Sequence, residues 1–134
     1  MQLFFSVLIV AIGASVGAIF RYGLSISFNH LSLKYNLIHW GTLIANWIGC
    51  FIAGFFLMWV VHKSNISDEW KLFILTGFCG ALTTFSAFSN EVVNILQQGR
   101  LSAALFCIFA HVLGSLTLTF LGMFIAKSLF ISVN

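Results

Sequence analysis

GFCGALTTFSAFSNE, residues 77–91, interrupts an otherwise lipid-like chain. It concentrates Gly77 and Gly80, adjacent threonines at 83 and 84, serines at 86 and 89, and the pair Phe85 and Phe88. An ordinary membrane-spanning helix gains nothing from so many small and hydroxylated residues at depth. Each glycine weakens a helix by roughly 1 kcal/mol relative to Ala. Thr83, Thr84 and Ser86 are able to bond carbonyls one turn back, in competition with the regular ladder. Broken backbone at membrane depth is tolerated only where protein buries it or where it lines a wet cavity. The stretch therefore reads either as part of an ion or solute path or as a helix with a small-residue packing seam.

The rest of the chain supplies the frame. Of 134 residues, 60% are hydrophobic and only 7% charged, with 16 Phe and no Pro. A soluble domain carries about a quarter charged residues, so this is an integral membrane protein. A span needs roughly 20 apolar residues, and four such runs are present, at about residues 3–24, 40–61, 70–98 and 101–130. The expected fold is all-α: a single transmembrane domain over residues 1–134, four helices per subunit, with a break in the third. No water-soluble domain fits in what remains. The net charge of +3 comes from basic residues scattered singly, which form no patch for nucleic acid. Cys50, Cys79 and Cys107 fall inside apolar runs without a CxxC pair. They read as small buried hydrophobes, and their odd number argues against a disulfide framework. The opening MQLFFSVLIVAIGASVGA lacks a basic leader region and reads as a retained first span.

Span one contains Gly13 and Gly17 at a spacing that lets another helix approach closely, with Arg21 near its end. A polar linker is expected over residues 25–39, carrying Asn29, His30, Lys34 and Asn36. Span two has a small-residue seam at Ala45, Gly49 and Ala53, and Trp residues near both ends as interfacial anchors. HKSNISDE reads as a loop, QQGR as a short turn, and span four holds Gly114 and Gly122. Four spans put Lys63, Lys71 and Lys127 on one side and Arg21, Lys34 and Arg100 on the other. The positive-inside rule needs an excess on one side, and three against three gives none. Insertion in both orientations is expected, and opposite copies can pair about a two-fold axis lying in the membrane plane.

Asn46 lies about six residues inside span two, where an amide must find partners or face water. Its plainest role is a hydrogen bond between helices, worth roughly 0.6 to 2 kcal/mol. Thr42 precedes it by one turn on the same face. His111, Ser115 and Thr119 form a polar stripe on an apolar helix. A lone His in such a place is more often packed and neutral than a ligand, but a continuous stripe favours a wet lining. Phe85 and Phe88 share a helix face. Such a pair is commonly packing, yet the positive edges of its rings can also approach an anion. The acids are Asp68, Glu69 and Glu91. None reads as deep in a span, which leaves a carboxylate-based cation or proton relay poorly supplied.

Taken in order, GASVGAIFRY at 13–22, GTLIANWIG at 41–49 and GFCGALTTFSAF at 77–88 resemble the Fluc-type fluoride channels, also called CrcB proteins. The resemblance covers essentially the whole chain, and the TTFS motif is its most specific part. It implies an antiparallel, dual-topology homodimer of four-helix subunits with two separate fluoride pores. Asn46 would be the pore-lining amide, Phe85 and Phe88 the rings that contact fluoride, and Ser115 a pore-lining hydroxyl. Thr42, Ser86 and His111, read from their positions, complete the candidate fluoride pore. Carbonyls of Gly80 and Thr83 would meet their two-fold mates around a central structural sodium ion (Na+), in keeping with the oxygen preference of such cations. Ala81 stands where the family often has a second Gly, and Ala87 where TTFSTF is usual.

The function expected is passive fluoride (F−) export across a prokaryotic inner (plasma) membrane, relieving fluoride toxicity. The chain would act as a channel and not an enzyme, with a second copy of itself, lipid and fluoride as partners, and no nucleic acid. The closest rival is a small dual-topology multidrug/proton antiporter, which needs an embedded carboxylate that span one lacks. A haem-binding redox enzyme would want two facing histidines, but His30, His39 and His62 lie in or beside loops. A purely structural subunit would explain the packing seams and not the polar stretch.

Overall fold

The computed structural model describes residues 2–35, 38–63 and 65–131, without the side chains of residues 29, 30, 32–35 and 131. Its elements are α1 (Gln2–Tyr35), α2 (Trp40–His62), α3 (Asp68–Lys71), a π-helical stretch (Leu72–Cys79), α4 (Gly80–Leu82), α5 (Phe85–Gln97) and α6 (Leu101–Ile131). The described residues form helices and no strands. Four stretches are long and apolar enough to cross a membrane: Gln2–Phe28, Trp40–His62, Asp68–Gln97 and Leu101–Phe130. Large side chains such as Ile19, Phe120 and Phe124 are exposed on the outer surface, as a bilayer solvent allows and water does not. The chain is a multi-pass, all-helical membrane protein.

The first helix does not stop where the linker was expected. Residues 24–35 hold neither Gly nor Pro, so nothing in them ends a helix, and Leu24, Phe28 and Leu31 continue an apolar face at helical spacing. The start of α2 also presses on this extension: a Cβ on Gly41 would lie 2.5 Å from Ser25 Cα. Arg21 thereby falls within the apolar stretch Gln2–Phe28. Of the expected linker residues, Asn36 and the side chains of Asn29, His30 and Lys34 lie outside the described residues.

Small residues set the helix contacts. A Cβ on Gly13 would sit 2.5 Å from the Phe73 carbonyl oxygen, and one on Gly17 would collide with that of Phe78. The two glycines thus let α1 lie directly on the π-helical stretch. Without a hydrophobic drive between helices in lipid, close backbone approach of this kind provides much of the cohesion. The apolar core gathers Leu43 of α2, Phe88, Val92 and Ile95 of α5, and Ala103, Ala104 and Cys107 of α6. Helix α5 is amphipathic, burying Phe88, Glu91, Val92 and Ile95 at the i, i+3, i+4, i+7 spacing of one face. Gly99, at φ 71°, ends it, a left-handed conformation that glycine adopts without a Cβ penalty.

Between α4 and α5 the backbone is extended at Thr83 (φ −83°, ψ 153°) and at Thr84 (φ −149°, ψ 116°). The preceding π-helical stretch is itself uncommon geometry that recurs at functional sites. Together they place polar backbone against the middle of α2.

Candidate functional site

Two extended residues inside a helical protein leave amides and carbonyls that water cannot serve at depth. Asn46 serves them. Its Oδ1 accepts from Thr84 N at 2.7 Å and its Nδ2 donates to the Thr84 carbonyl at 3.2 Å. The side-chain amide pairs with Thr84 much as a neighbouring strand would. Its orientation is therefore fixed, and its second hydrogen points at His111 Nδ1, 3.1 Å away. Because Nδ2 can only donate, Nδ1 accepts, and in the neutral ring the hydrogen sits on Nε2. Both donors of Asn46 are engaged within the chain.

Thr83 bonds back one turn, its hydroxyl donating to the Cys79 carbonyl at 2.9 Å. Thr84 and Ser86 do not follow that expectation. Thr84 Oγ1 caps α5 by accepting from Ala87 N at 3.2 Å, and it pairs with Ser86 Oγ at 3.2 Å. The reason is position: Thr84 is the residue before the first turn of α5, where a hydroxyl satisfies an otherwise orphaned amide.

Asn46, Phe85, Phe88, His111 and Ser115 come together with Thr83 and Thr84 around a groove of about 330 Å³. Phe85 and Phe88 meet edge-on, centroids 5.6 Å apart at 63°, and the His111 ring lies 4.6 Å from Phe88. Phe88 and His111 are buried, whereas Phe85 is 79% exposed and opens the groove to the surface. Thr42 and Ser86 do not line this groove. Thr42 faces a second cavity of about 290 Å³, with His39, Ala87, Asn90, Glu91 and Asn94. Gly80 is exposed and Thr83 half-buried. In an unbroken helix the amides of Thr84 and Ala87 would serve the carbonyls of Gly80 and Thr83. Here they donate to Asn46 Oδ1 and Thr84 Oγ1 instead.

Glu91 is the residue that sequence reasoning misplaced. It is 3% exposed, within the membrane-crossing stretch Asp68–Gln97. The signal was available: it follows Phe88 by three residues and precedes Ile95 by four, so helical spacing puts it on the buried face. Its Oε1 accepts from the His39 backbone N–H at the start of α2, where a carboxylate also complements the helix dipole. His39 Nδ1 lies 3.3 Å from the same oxygen. The hydrogen bond to Glu91 raises the His39 pKa above its usual value, against an opposing effect of partial burial. A group whose pKa is raised on folding stabilises fully below its unfolded pKa, near 6.5, and loses that contribution as pH rises through the folded value. Thermal unfolding in detergent should therefore show stability falling as pH rises above 6.5, and His39→Gln should flatten the dependence. An unchanged slope in that variant would exclude the pair as its source.

A family model described as CrcB-like protein, Camphor Resistance (CrcB), matches residues 8–123. A relative named fluoride-specific ion channel FluC from Pseudomonas aeruginosa (strain UCBPP-PA14) is 46% identical over 119 residues, covering 89% of this chain and 91% of the relative. One of the same name from Histophilus somni (strain 2336) is 45% identical over 125 residues, covering 93% and 96%. Another, from Escherichia coli O17:K52:H18, is 48% identical over 118 residues, covering 88% and 91%. A match over most of the length, at this identity and with a four-span helical structure, has one reading: the chain belongs to the CrcB family.

Proposed function

We propose that this chain is a passive, fluoride-selective channel, working as an antiparallel homodimer in a prokaryotic inner membrane and relieving fluoride toxicity. The relatives named above are fluoride-specific channels. The observation that carries the reading is the groove itself, where an amide, a hydroxyl, an imidazole and two aromatic rings converge without a buried cation. Fluoride is small and tightly hydrated, so it enters only where groups already stand in for its water. Ring edges of Phe85 and Phe88 approach it first, because Phe85 is at the open mouth. Asn46 and Ser115 donate deeper in. Asn46 lends the ion the hydrogen it otherwise gives His111, so that contact loosens as fluoride passes. A fixed positive charge would bind the ion too well to release it, since conduction needs sites weak enough to leave. Thr42 belongs to the polar approach beside Glu91, and Ser86 supports the Thr84 cap.

The antiporter is not supported: the relatives carry a different name, and α1 has no acidic residue, the one embedded carboxylate among the described residues being Glu91 of α5. The exposed carbonyl region at Gly80 and Thr83, deprived of its helical donors, fits a hard monovalent cation shared with a second copy. Bound there, sodium would supply positive charge that holds the two broken helices together and would not be transported. Growth of a fluoride-sensitive, exporter-deficient bacterium on fluoride tests the function: expression should restore growth, and failure of correctly inserted protein to do so would overturn it. For the dimer, reporter tags on the C-terminus should be found on both sides of the membrane, and added lysines at one end should bias the split. Uniform orientation of the unaltered chain would exclude the antiparallel pair.

A further inference from the structure

Beside the groove, Glu91 of α5 and Cys107 and His111 of α6 bring one donor atom each to within 4.8 Å of one another, all three residues buried. Two buried side-chain atoms of these residues lack a hydrogen-bond partner among the described residues: Glu91 Oε2 and His111 Nε2. Glu91 and His111 are both 3% exposed and Cys107 is 0% exposed. Buried polar atoms are ordinarily paired, and two unpaired ones on residues clustered with a buried thiol are groups that a bound ion would satisfy. We propose that Glu91, Cys107 and His111 form a binding site for a thiophilic divalent cation of the zinc type.

The donor set is the reason. Thiolate, imidazole and carboxylate together select zinc-like ions over magnesium or calcium, which prefer oxygen alone. Tetrahedral zinc with bonds of about 2.0 to 2.3 Å spaces its ligand atoms about 3.3 to 3.6 Å apart. Side-chain adjustments of about an ångström close the present cluster to that size. Glutamate and thiolate each carry one negative charge, so the filled site is neutral, which a buried position requires. Three protein ligands leave a fourth position for water or an anion. Glu91 Oε1 is already held by the His39 backbone and ring, a supporting contact of the kind that orients metal ligands.

Cys107 releases its thiol proton to solvent on coordination. The imidazole hydrogen moves from Nε2 to Nδ1, and His111 then no longer accepts from Asn46. Access is through the polar cavity that Glu91 lines, while His111 lines the fluoride groove. The bound ion would therefore sit between the two cavities and uncouple Asn46 from its partner. A block of fluoride flux rests on the channel reading given above; metal binding itself does not.

Cadmium and zinc titrated into the purified, detergent-solubilised protein test the site. Cadmium should bind at one ion per chain and produce a thiolate-to-metal charge-transfer absorption, with zinc competing it away. Cys107→Ala should abolish that absorption, Glu91→Gln should weaken binding at least about tenfold, and Cys50→Ala and Cys79→Ala should keep both signals. Absorption that is absent, or that survives Cys107→Ala and follows Cys50 or Cys79, overturns the proposal. In liposomes, zinc should slow fluoride efflux in the unaltered protein and not in Cys107→Ala. Binding without that block would keep the site and remove it from the fluoride path.

Discussion

Asn46→Asp abolishes fluoride flux, by at least about 100-fold, while the protein still elutes at the same volume as the unaltered chain. The substitution is nearly isosteric, but an ionised carboxylate accepts only, and even a protonated one has a single donor. One oxygen still receives Thr84 N, as Oδ1 does now at 2.7 Å. The other replaces Nδ2, which donates to the Thr84 carbonyl at 3.2 Å and to His111 Nδ1 at 3.1 Å. The Thr84 carbonyl, and His111 Nδ1 in its present tautomer, would then face an acceptor, and the groove would present negative charge to an anion. At 1.4 kcal/mol per factor of ten, a 100-fold loss needs about 2.8 kcal/mol, less than a typical penalty for an unpaired buried charge. Fluoride efflux from liposomes holding equal amounts of each protein measures it. Wild-type flux through Asn46→Asp would show that Asn46 holds Thr84 in place and does nothing for the ion.

Phe85→Ile and Phe88→Ile should each slow fluoride efflux by up to about tenfold, or about 1.4 kcal/mol, the upper end of what ring electrostatics add in aromatic pairs. Isoleucine keeps bulk and loses the quadrupole. Phe85 gives the cleaner result, because at 79% exposure its loss opens no cavity. Phe88 is buried against the His111 ring, so its replacement also loosens packing, and thermal stability must be followed alongside. Methionine at either position should recover part of the flux through its polarisable sulfur. Phe120→Ile, at an exposed residue outside the groove, should leave flux unchanged. Undiminished efflux in both ring variants would reduce the pair to packing.

Local pattern made much of this legible. Apolar runs of span length are visible without a partner, and Gly13 with Gly17 announces a close helix contact by spacing alone. Asn46, Phe85, Phe88, His111 and Ser115 were also visible as polar or paired residues in apolar surroundings, and the groove gathers all five. What the chain did not disclose depends on pairing across distance. Thr84 lies 38 residues from Asn46, and nothing local says that its amide will choose a side chain in α2 over the carbonyl of Gly80. The π-helical stretch has no clear sequence mark beyond Gly77. Glu91 differs, for its burial follows from the spacing of Phe88, Val92 and Ile95 and was obscured only by its charge.

The central claim is a selective, passive path for fluoride, and ion efflux tests it most directly. Purified protein is placed in liposomes loaded with potassium fluoride and potassium chloride, with sodium equal on both sides and a potassium ionophore to carry the balancing charge. Fluoride-specific and chloride-specific electrodes then follow release. A passive fluoride channel releases fluoride rapidly down its own gradient, with chloride retained, and needs no sodium or proton gradient. Chloride leaving at the rate of fluoride, or fluoride moving only when a sodium or proton gradient drives it, would contradict the account.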